Sequence, residues 1–419
     1  MQPGLSAHLT EAVARAHREE WARVLASTAR VTRDLDLAEE CTQDAYERAL
    51  ERWPVDGMPR RPGAWLTTVA GNRARDVVRR EAHGRQLLPR LVIDEEQLSP
   101  YAVPSGLLAD DRLRLVFTCC HPALAPEAQV ALTLRLVCGL STSDVARAFL
   151  VQESTMAARL TRAKKKIAAA RIPYRVPSRD ELPARLGPVT DVVHLVFTTG
   201  HIAPSGPELL REHLVDVAVD MGRMLHRLLP DEASVTGLLA LMLLAQARRD
   251  TRVEHGSLVL LADQDRARWD RELIAEGTGL VAQALAQAPP DRFAVEAAIA
   301  AVHAEAPTWE RTDWGEVVGL YDVLLRLWPS PVVALGRAVA VGLRDGPEAG
   351  LVALEPLLTD PAVATYPYVS ATRADLLRRI EAWDDAALAY EEAFALAGNE
   401  VERAFLHGRL EEVRAHLAR

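Results

Sequence analysis

The chain has 419 residues, 49% of them apolar and 26% charged, with four cysteines at no disulfide-like or CxxC spacing. Those values describe a globular chain of two or three domains in a reducing, cytoplasmic setting; they exclude a collagenous, disordered or disulfide-stapled protein. The net charge of -9 is unevenly divided, since residues 1–175 hold 26 Lys and Arg against 21 Asp and Glu (net +5) and the rest carries -14.

Leu37, Cys41, Ala45 and Ala49 recur at helical spacing, with Glu40, Gln43, Asp44, Glu47 and Glu51 on the other faces. Asp36 with Glu39 three residues later resembles a capping box, which predicts a helix from near Leu37 that stops before Pro54. A turn-rich stretch over 53–59 precedes a helix over 62–81, opened by Pro62, whose apolar stripe is Leu66, Val69, Ala70, Ala74, Val77 and Val78. Periodicity fades over 84–108, where Pro89, Pro100, Pro104 and Gly106 mark a linker. A second helical unit covers 109–172. Within it 127–137 reads as one helix stopped by Cys138-Gly139, Ser141 with Asp144 opens the next, and a turn at 150–152 leads into a helix from Glu153 to about Ala170. Helix, tight turn and basic second helix form a helix-turn-helix pattern.

Pro173, Pro177, Pro183 and Pro188 punctuate a connector, and the extension over 178–419 reads as helix pairs. Trp314 to Leu327 aligns with Trp383 to Leu396 at an offset of 69, Tyr321 on Tyr390 and Asp322 on Glu391, with a weaker third copy from Pro347 to Leu358. That offset is close to twice the period of about 34 in tetratricopeptide repeats, so a repeat array is expected from about residue 300. A further echo pairs 115–121 with 195–201, five identities in seven, as two similarly packed helix ends. The longest apolar run, 237–245, is far short of the ~20 residues of a membrane span, and Met1-Gln2-Pro3-Gly4 opens no secretory leader, so no membrane contact is expected.

Two surfaces carry chemistry suited to nucleic acid. The helix 62–81 presents Thr68, Asn72, Arg73, Arg75, Arg79 and Arg80, with Trp65 near its start. Arginines supply phosphate contacts, amides and hydroxyls reach base edges, and an aromatic can stack on an unpaired base. The second surface is the last helix of the helix-turn-helix and its extension, with Arg159, Arg162, Lys164, Lys165, Lys166, Arg171 and Arg175 and no acid from Ser154 to Pro177. Helices of this kind read the major groove with their first residues, here Glu153, Ser154, Thr155 and Arg159, while Met156, Leu160 and Ile167 belong to the core.

The order of these segments resembles the extracytoplasmic-function (ECF) group of sigma-70 family transcription initiation factors. The match runs over 36–49, from Pro62-Gly63-Ala64-Trp65 through Asn72-Arg73, over Asp76 to Arg80, and over 140–146 and 155–163. Phe117-Thr118-Cys119-Cys120-His121-Pro122 and the run 263–270, Asp263 to Asp270, look like signatures of a subgroup with a tetratricopeptide-like extension. The resemblance implies an all-α protein, with region 2 over 7–83, a linker over 84–108 and region 4 over 109–172. It implies that Asp36, Glu39, Glu40, Gln43, Asp44 and Glu47 bind core RNA polymerase, that 62–81 opens the minus-ten promoter element, and that 153–167 binds the minus-thirty-five element. Leu150 and Gln152 depart from the family's usual turn, and Ala157 and Ala158 replace polar positions.

No catalytic constellation, cofactor loop or metal set is read from the sequence; Cys119-Cys120-His121 is expected to be a packed helix end, and 263–270 a salt-bridged helix start or a contact point. The acidic extension is expected either to mask the basic front or to take a protein partner. The rival readings are a helix-turn-helix regulator acting on DNA without polymerase, and a tetratricopeptide-like scaffold.

Overall fold

A computed structural model describes residues 3–84, 111–149, 151–201, 211–254, 256–287 and 290–418. The predicted linker 84–108 and the departure at Leu150 lie outside the described residues, apart from Gly84. The chain is all-α apart from a two-stranded antiparallel ribbon, and it divides into two compact units, Met1–Val192 and Val193–Arg419.

The first unit begins with α1 (Pro3–Thr32), α2 (Leu35–Asp56) and α3 (Pro62–Gly84), which pack on one another. Trp21, Val24, Leu25, Thr28 and Ala29 of α1 are buried against Ala38, Cys41, Ala45 and Ala49 of α2 and Leu66, Ala70 and Ala74 of α3. The cap of α2 is Asp34, whose carboxylate accepts from the Asp36 and Leu37 amides at 2.8 and 3.0 Å, two residues before the expected start. The helix also runs on past Pro54 to Asp56. Proline removes only the bond to the Leu50 carbonyl, and Leu50 lies half-exposed on the side open to water.

The unit continues with α4 (Asp111–Cys119), α5 (Pro126–Leu132), α6 (Thr142–Ala148), α7 (Glu153–Ala169) and α8 (Leu182–His201). The expected single helix over 127–137 is α5 followed by a π-helical turn, Thr133–Val137, and Gly139 stops it with φ +72°. Ser141 and Asp144 form the predicted capping box of α6, whereas Gln152 caps α7 without a side-chain bond. Met156, Leu160, Ala163 and Ile167 form the buried stripe of α7. Instead of a connector reaching Pro188, α8 starts at Leu182 and contains that proline, and the boundary between the units falls inside α8.

The second unit holds α9 (Glu212–Leu228), α10 (Ala233–Gln246), the ribbon β1 (Val253–Glu254) and β2 (Ser257–Leu258), α11 (Arg271–Ala286) and α12 (Arg292–Glu305). It ends with α13 (Trp314–Leu327), α14 (Pro331–Arg344), α15 (Pro347–Leu354), α16 (Pro367–Arg379), α17 (Trp383–Leu396) and α18 (Glu400–Leu417), each packed on the next in chain order. The two repeat copies are α13 and α17, 14 residues each, and the weaker third copy is α15.

The run 263–270 is a knot of buried hydrogen bonds. The Gln264 carboxamide accepts from Thr251 at 3.2 Å, and Arg266 donates to the carbonyls of His303 and Ala306 at 2.5 and 2.8 Å. Trp269 donates to the Thr251 hydroxyl at 3.0 Å, and Asp270 caps α11. The Cys119-Cys120-His121 segment ends α4 with both thiols fully buried; burial pushes Cys119 well up and Cys120 up to about 12, so both stay protonated. The echoed segment likewise ends a helix, α8, although Leu195 is half-exposed where Leu115 is buried.

Candidate nucleic-acid interface

On α3 the structure brings Thr68, Asn72, Arg75 and Arg79 onto one exposed face, at spacings of four, three and four residues. Arg80 is exposed beside them. The Thr68 hydroxyl donates to the Ala64 carbonyl at 2.9 Å, and the Arg75 guanidinium to that of Gly71 at 3.1 Å, both within the helix. Trp65 is half-buried, edge-on to Trp53 with ring centres 5.6 Å apart. Arg73 points away from this face and donates to Asp44 of α2 at 2.8 Å, which holds the guanidinium still more firmly protonated.

On α7, Glu153, Ser154 and Thr155 are exposed at the helix start, and Arg162, Lys165 and Lys166 are exposed further on. Arg159 is half-buried with its guanidinium 5.4 Å from the Phe149 ring centre. Arg175 is committed elsewhere, in a two-pronged pair with Glu181 at 2.6 and 2.7 Å. Lys164 behaves unlike its two lysine neighbours. Its side chain is only 11% exposed, and its ammonium donates to Glu39 at 2.6 Å and to Asp36 at 2.8 Å. Burial pushes this ammonium down, but the two carboxylates outweigh it and its pKa is raised.

The expected polymerase-binding set is therefore split. Glu40, Gln43 and Glu47 are exposed on α2, and Asp44 is half-buried against Arg73. Glu39 is buried, holding Lys164 with one oxygen and Arg135 of the π-helical turn with the other. Asp36 is open to solvent but engaged with Lys164.

The rest of this junction was missed in the sequence. Trp21 donates from its indole to the Leu136 carbonyl at 3.1 Å, and Arg135 lies over the Trp21 ring and donates to the Leu140 carbonyl at 2.7 Å. A Cβ at Gly139 would stand 2.9 Å from that same ring, so the turn needs glycine for its positive φ and for the close approach. Tyr174 donates to the Ala26 carbonyl at 2.8 Å, and Arg30 pairs with Asp111 at 3.5 Å. The available signal was helical phase: Lys164 follows the buried Ala163 and lies four residues after Leu160, beside the apolar stripe.

A three-helix unit with an exposed cationic face, joined to a helix-turn-helix, is the arrangement expected of a transcription initiation factor of the sigma-70 type. Residues 18–84 match the model of Sigma-70 region 2, residues 114–167 that of Sigma-70 region 4, and residues 185–285 a family of unknown function, DUF6596. The chain is 31% identical over 164 residues to the ECF RNA polymerase sigma factor SigK of Mycobacterium ulcerans (strain Agy99), spanning 36% of this chain and 86% of that protein. It is 32% identical over 143 residues to SigK of Mycobacterium tuberculosis (strain ATCC 25618 / H37Rv), covering 33% of this chain and 74% of that one. It is also 42% identical over 394 residues, 93% of each chain, to an uncharacterized protein of Rhizobium meliloti (strain 1021). No solved structure gives a significant match. The chain belongs to the ECF RNA polymerase sigma factors. Among the described residues no helix is long and apolar enough to cross a membrane.

Proposed function

We propose that this chain carries core RNA polymerase to promoters from the cytoplasm, with Glu40, Gln43 and Glu47 on the polymerase, the Thr68–Asn72–Arg75–Arg79 face on the opened minus-ten strand, and the start of α7 on the minus-thirty-five duplex. The chain adds no catalytic group, since polymerase forms the phosphodiester bonds. Hydroxyl, amide and guanidinium groups on one helix face can reach the base edges and phosphates of an opened strand. The helix pairs α13/α14, α15/α16 and α17/α18 support a tetratricopeptide-like extension, which in this reading regulates the front unit.

The observation that carries the mechanism is Lys164 held between Asp36 and Glu39. A candidate DNA-binding helix and a candidate polymerase-binding helix occupy one another, so this is the resting form, and polymerase opens it by taking over the acids. A charge pair can trade one partner for another of the same sign, which an apolar seam cannot do. The test is run-off transcription with purified core polymerase on promoters selected from genomic DNA, with a pull-down alongside. Association with polymerase and a promoter-dependent transcript are expected. Tight promoter binding by the chain alone, with no polymerase association, would establish the regulator reading instead.

A further inference from the structure

The second unit holds a half-open cavity of about 430 Å³ between α10, α12, α13 and the start of α14, a volume in the range of small-molecule sites. Its apolar wall includes Leu244, Trp269 and Trp328, and its polar lining includes Arg248, Glu296, His303 and Tyr321. Those polar groups are poorly provided for. The Oε1 atom of Glu296 and the Nδ1 atom of His303 are buried with no hydrogen-bond partner. Arg248, just past the end of α10, makes no side-chain hydrogen bond or ion pair among the described residues; the charge acting on it is Arg266, another cation. Burial and that neighbour push the Arg248 guanidinium down to about 10, and burial pushes the Glu296 carboxyl up to about 7.

Buried polar atoms in native proteins are almost always paired, and a cation partly withdrawn from water without a counter-charge is disfavoured. Two buried unpaired atoms, with a half-buried cation that has no counter-charge beside them, therefore point to a guest. The cation without a carboxylate selects an anion, and a guanidinium matches a planar carboxylate with two parallel hydrogen bonds. The indole and aliphatic walls select an apolar, preferably aromatic, body. Tyr321 keeps its place over the cavity because Gly336 faces it: a Cβ there would lie 2.6 Å from the tyrosine hydroxyl.

We propose that this cavity binds a small aromatic carboxylate, with its carboxylate on Arg248 and its ring against Trp269 and Trp328. The assignment concerns the second unit by itself and does not depend on the promoter reading. It is tested on the full chain by calorimetric titration and thermal melting with benzoate and indole-3-acetate, and with benzamide as the neutral control. At least one of the two carboxylates should bind with a Kd below about 1 mM and at least about tenfold more tightly than benzamide, as a charge-assisted hydrogen bond implies. Arg248→Gln should remove that discrimination. Val332→Trp, at a half-exposed position on the cavity wall, should weaken the same carboxylate while leaving the melting temperature of the free chain unchanged. If Arg248→Gln fails to fold, the benzamide comparison and Val332→Trp still decide. Binding weaker than about 1 mM by both carboxylates, equal binding of benzamide, or indifference to Val332→Trp overturns the proposal, as does a probe-soaked crystal with only water in the cavity.

Discussion

The two units differ in whether their most buried cations meet a carboxylate. In Met1–Val192, Lys164 and Arg135 are set against Glu39 and Asp36, acids on a helix more than a hundred residues away in sequence for Lys164. In Val193–Arg419 the buried arginines rest on carbonyl oxygens: Arg252 on His201 at 2.5 Å, and Arg266 on His303 and Ala306. Arg248, half-buried, rests on neither carboxylate nor carbonyl among the described residues. The difference has a physical consequence. A cation on a carboxylate has a competitor in phosphate, so on the proposed reading the pairs in the front unit are exchangeable. A cation on helix-end carbonyls has no natural competitor, and it fixes the ends it ties.

The sharpest way to break this comparison is at Glu39. Glu39→Leu leaves Arg135 and Lys164 without their shared carboxylate at a buried site, which should cost about 3–5 kcal/mol of the front unit's stability by urea unfolding. The single substitution Lys164→Met should cost less, because Glu39 keeps Arg135. The double variant should be more stable than the two single effects add up to, with a coupling of about 1–3 kcal/mol. Simple additivity would show that the pair is a surface contact.

The second unit offers the next largest effect. Glu296 is raised from 4.5 to about 7 by burial, with Arg292 opposing and Asp291 raising it further. A carboxyl that holds its proton more tightly when folded adds stability below pH 4.5, and that stability is lost as pH rises through about 7. Glu296→Gln removes the ionisation, so the variant should gain about 2 kcal/mol over the parent at pH 8 and little at pH 4, after discounting for partial exposure. Denaturant melts at the two pH values check it. Equal differences at both would place Glu296 in water.

A smaller effect is expected at Gly139. Alanine there must adopt φ +72° and meet the Trp21 ring at 2.9 Å, which should lower stability by about 1–2 kcal/mol and loosen the Trp21–Leu136 bond. Near-ultraviolet circular dichroism of the tryptophans and thermal melting read both consequences.

The sequence made local signals visible and hid distant ones. Pro62 at a helix start, the Ser141–Asp144 box, the Gly139 stop and the apolar stripe of α7 each work through residues within one or two turns, so spacing reveals them. The same local logic misplaced three prolines, because Pro54, Pro183 and Pro188 all sit in helices. It also grouped Lys164 with Lys165 as equal phosphate contacts. Composition cannot separate neighbours that face different ways; a partner 125 residues upstream does so. The exposed stripe of α3 was legible because its period is local, whereas the unpaired Arg248, Glu296 and His303 gather from α10 and α12 by packing alone.

The smallest effect is also the one that joins the charge comparison to transcription. Removing one cation that neutralises a phosphate lowers the slope of log affinity against log salt by about 0.9. Arg162→Ala and Lys165→Ala, exposed on α7, should each lower that slope by about this amount when the polymerase-bound chain binds promoter duplex. Lys164→Ala then distinguishes two states. If the pairs to Asp36 and Glu39 persist on polymerase, the ammonium never meets a phosphate and the slope is unchanged. If polymerase opens the junction, Lys164 joins its neighbours and its removal lowers the slope as theirs does. The second outcome is expected, because an exchangeable pair is useful only if something takes its place. Fluorescence anisotropy of labelled duplex from 50 to 200 mM salt, a span over which one neutralised phosphate changes affinity about threefold, resolves the two.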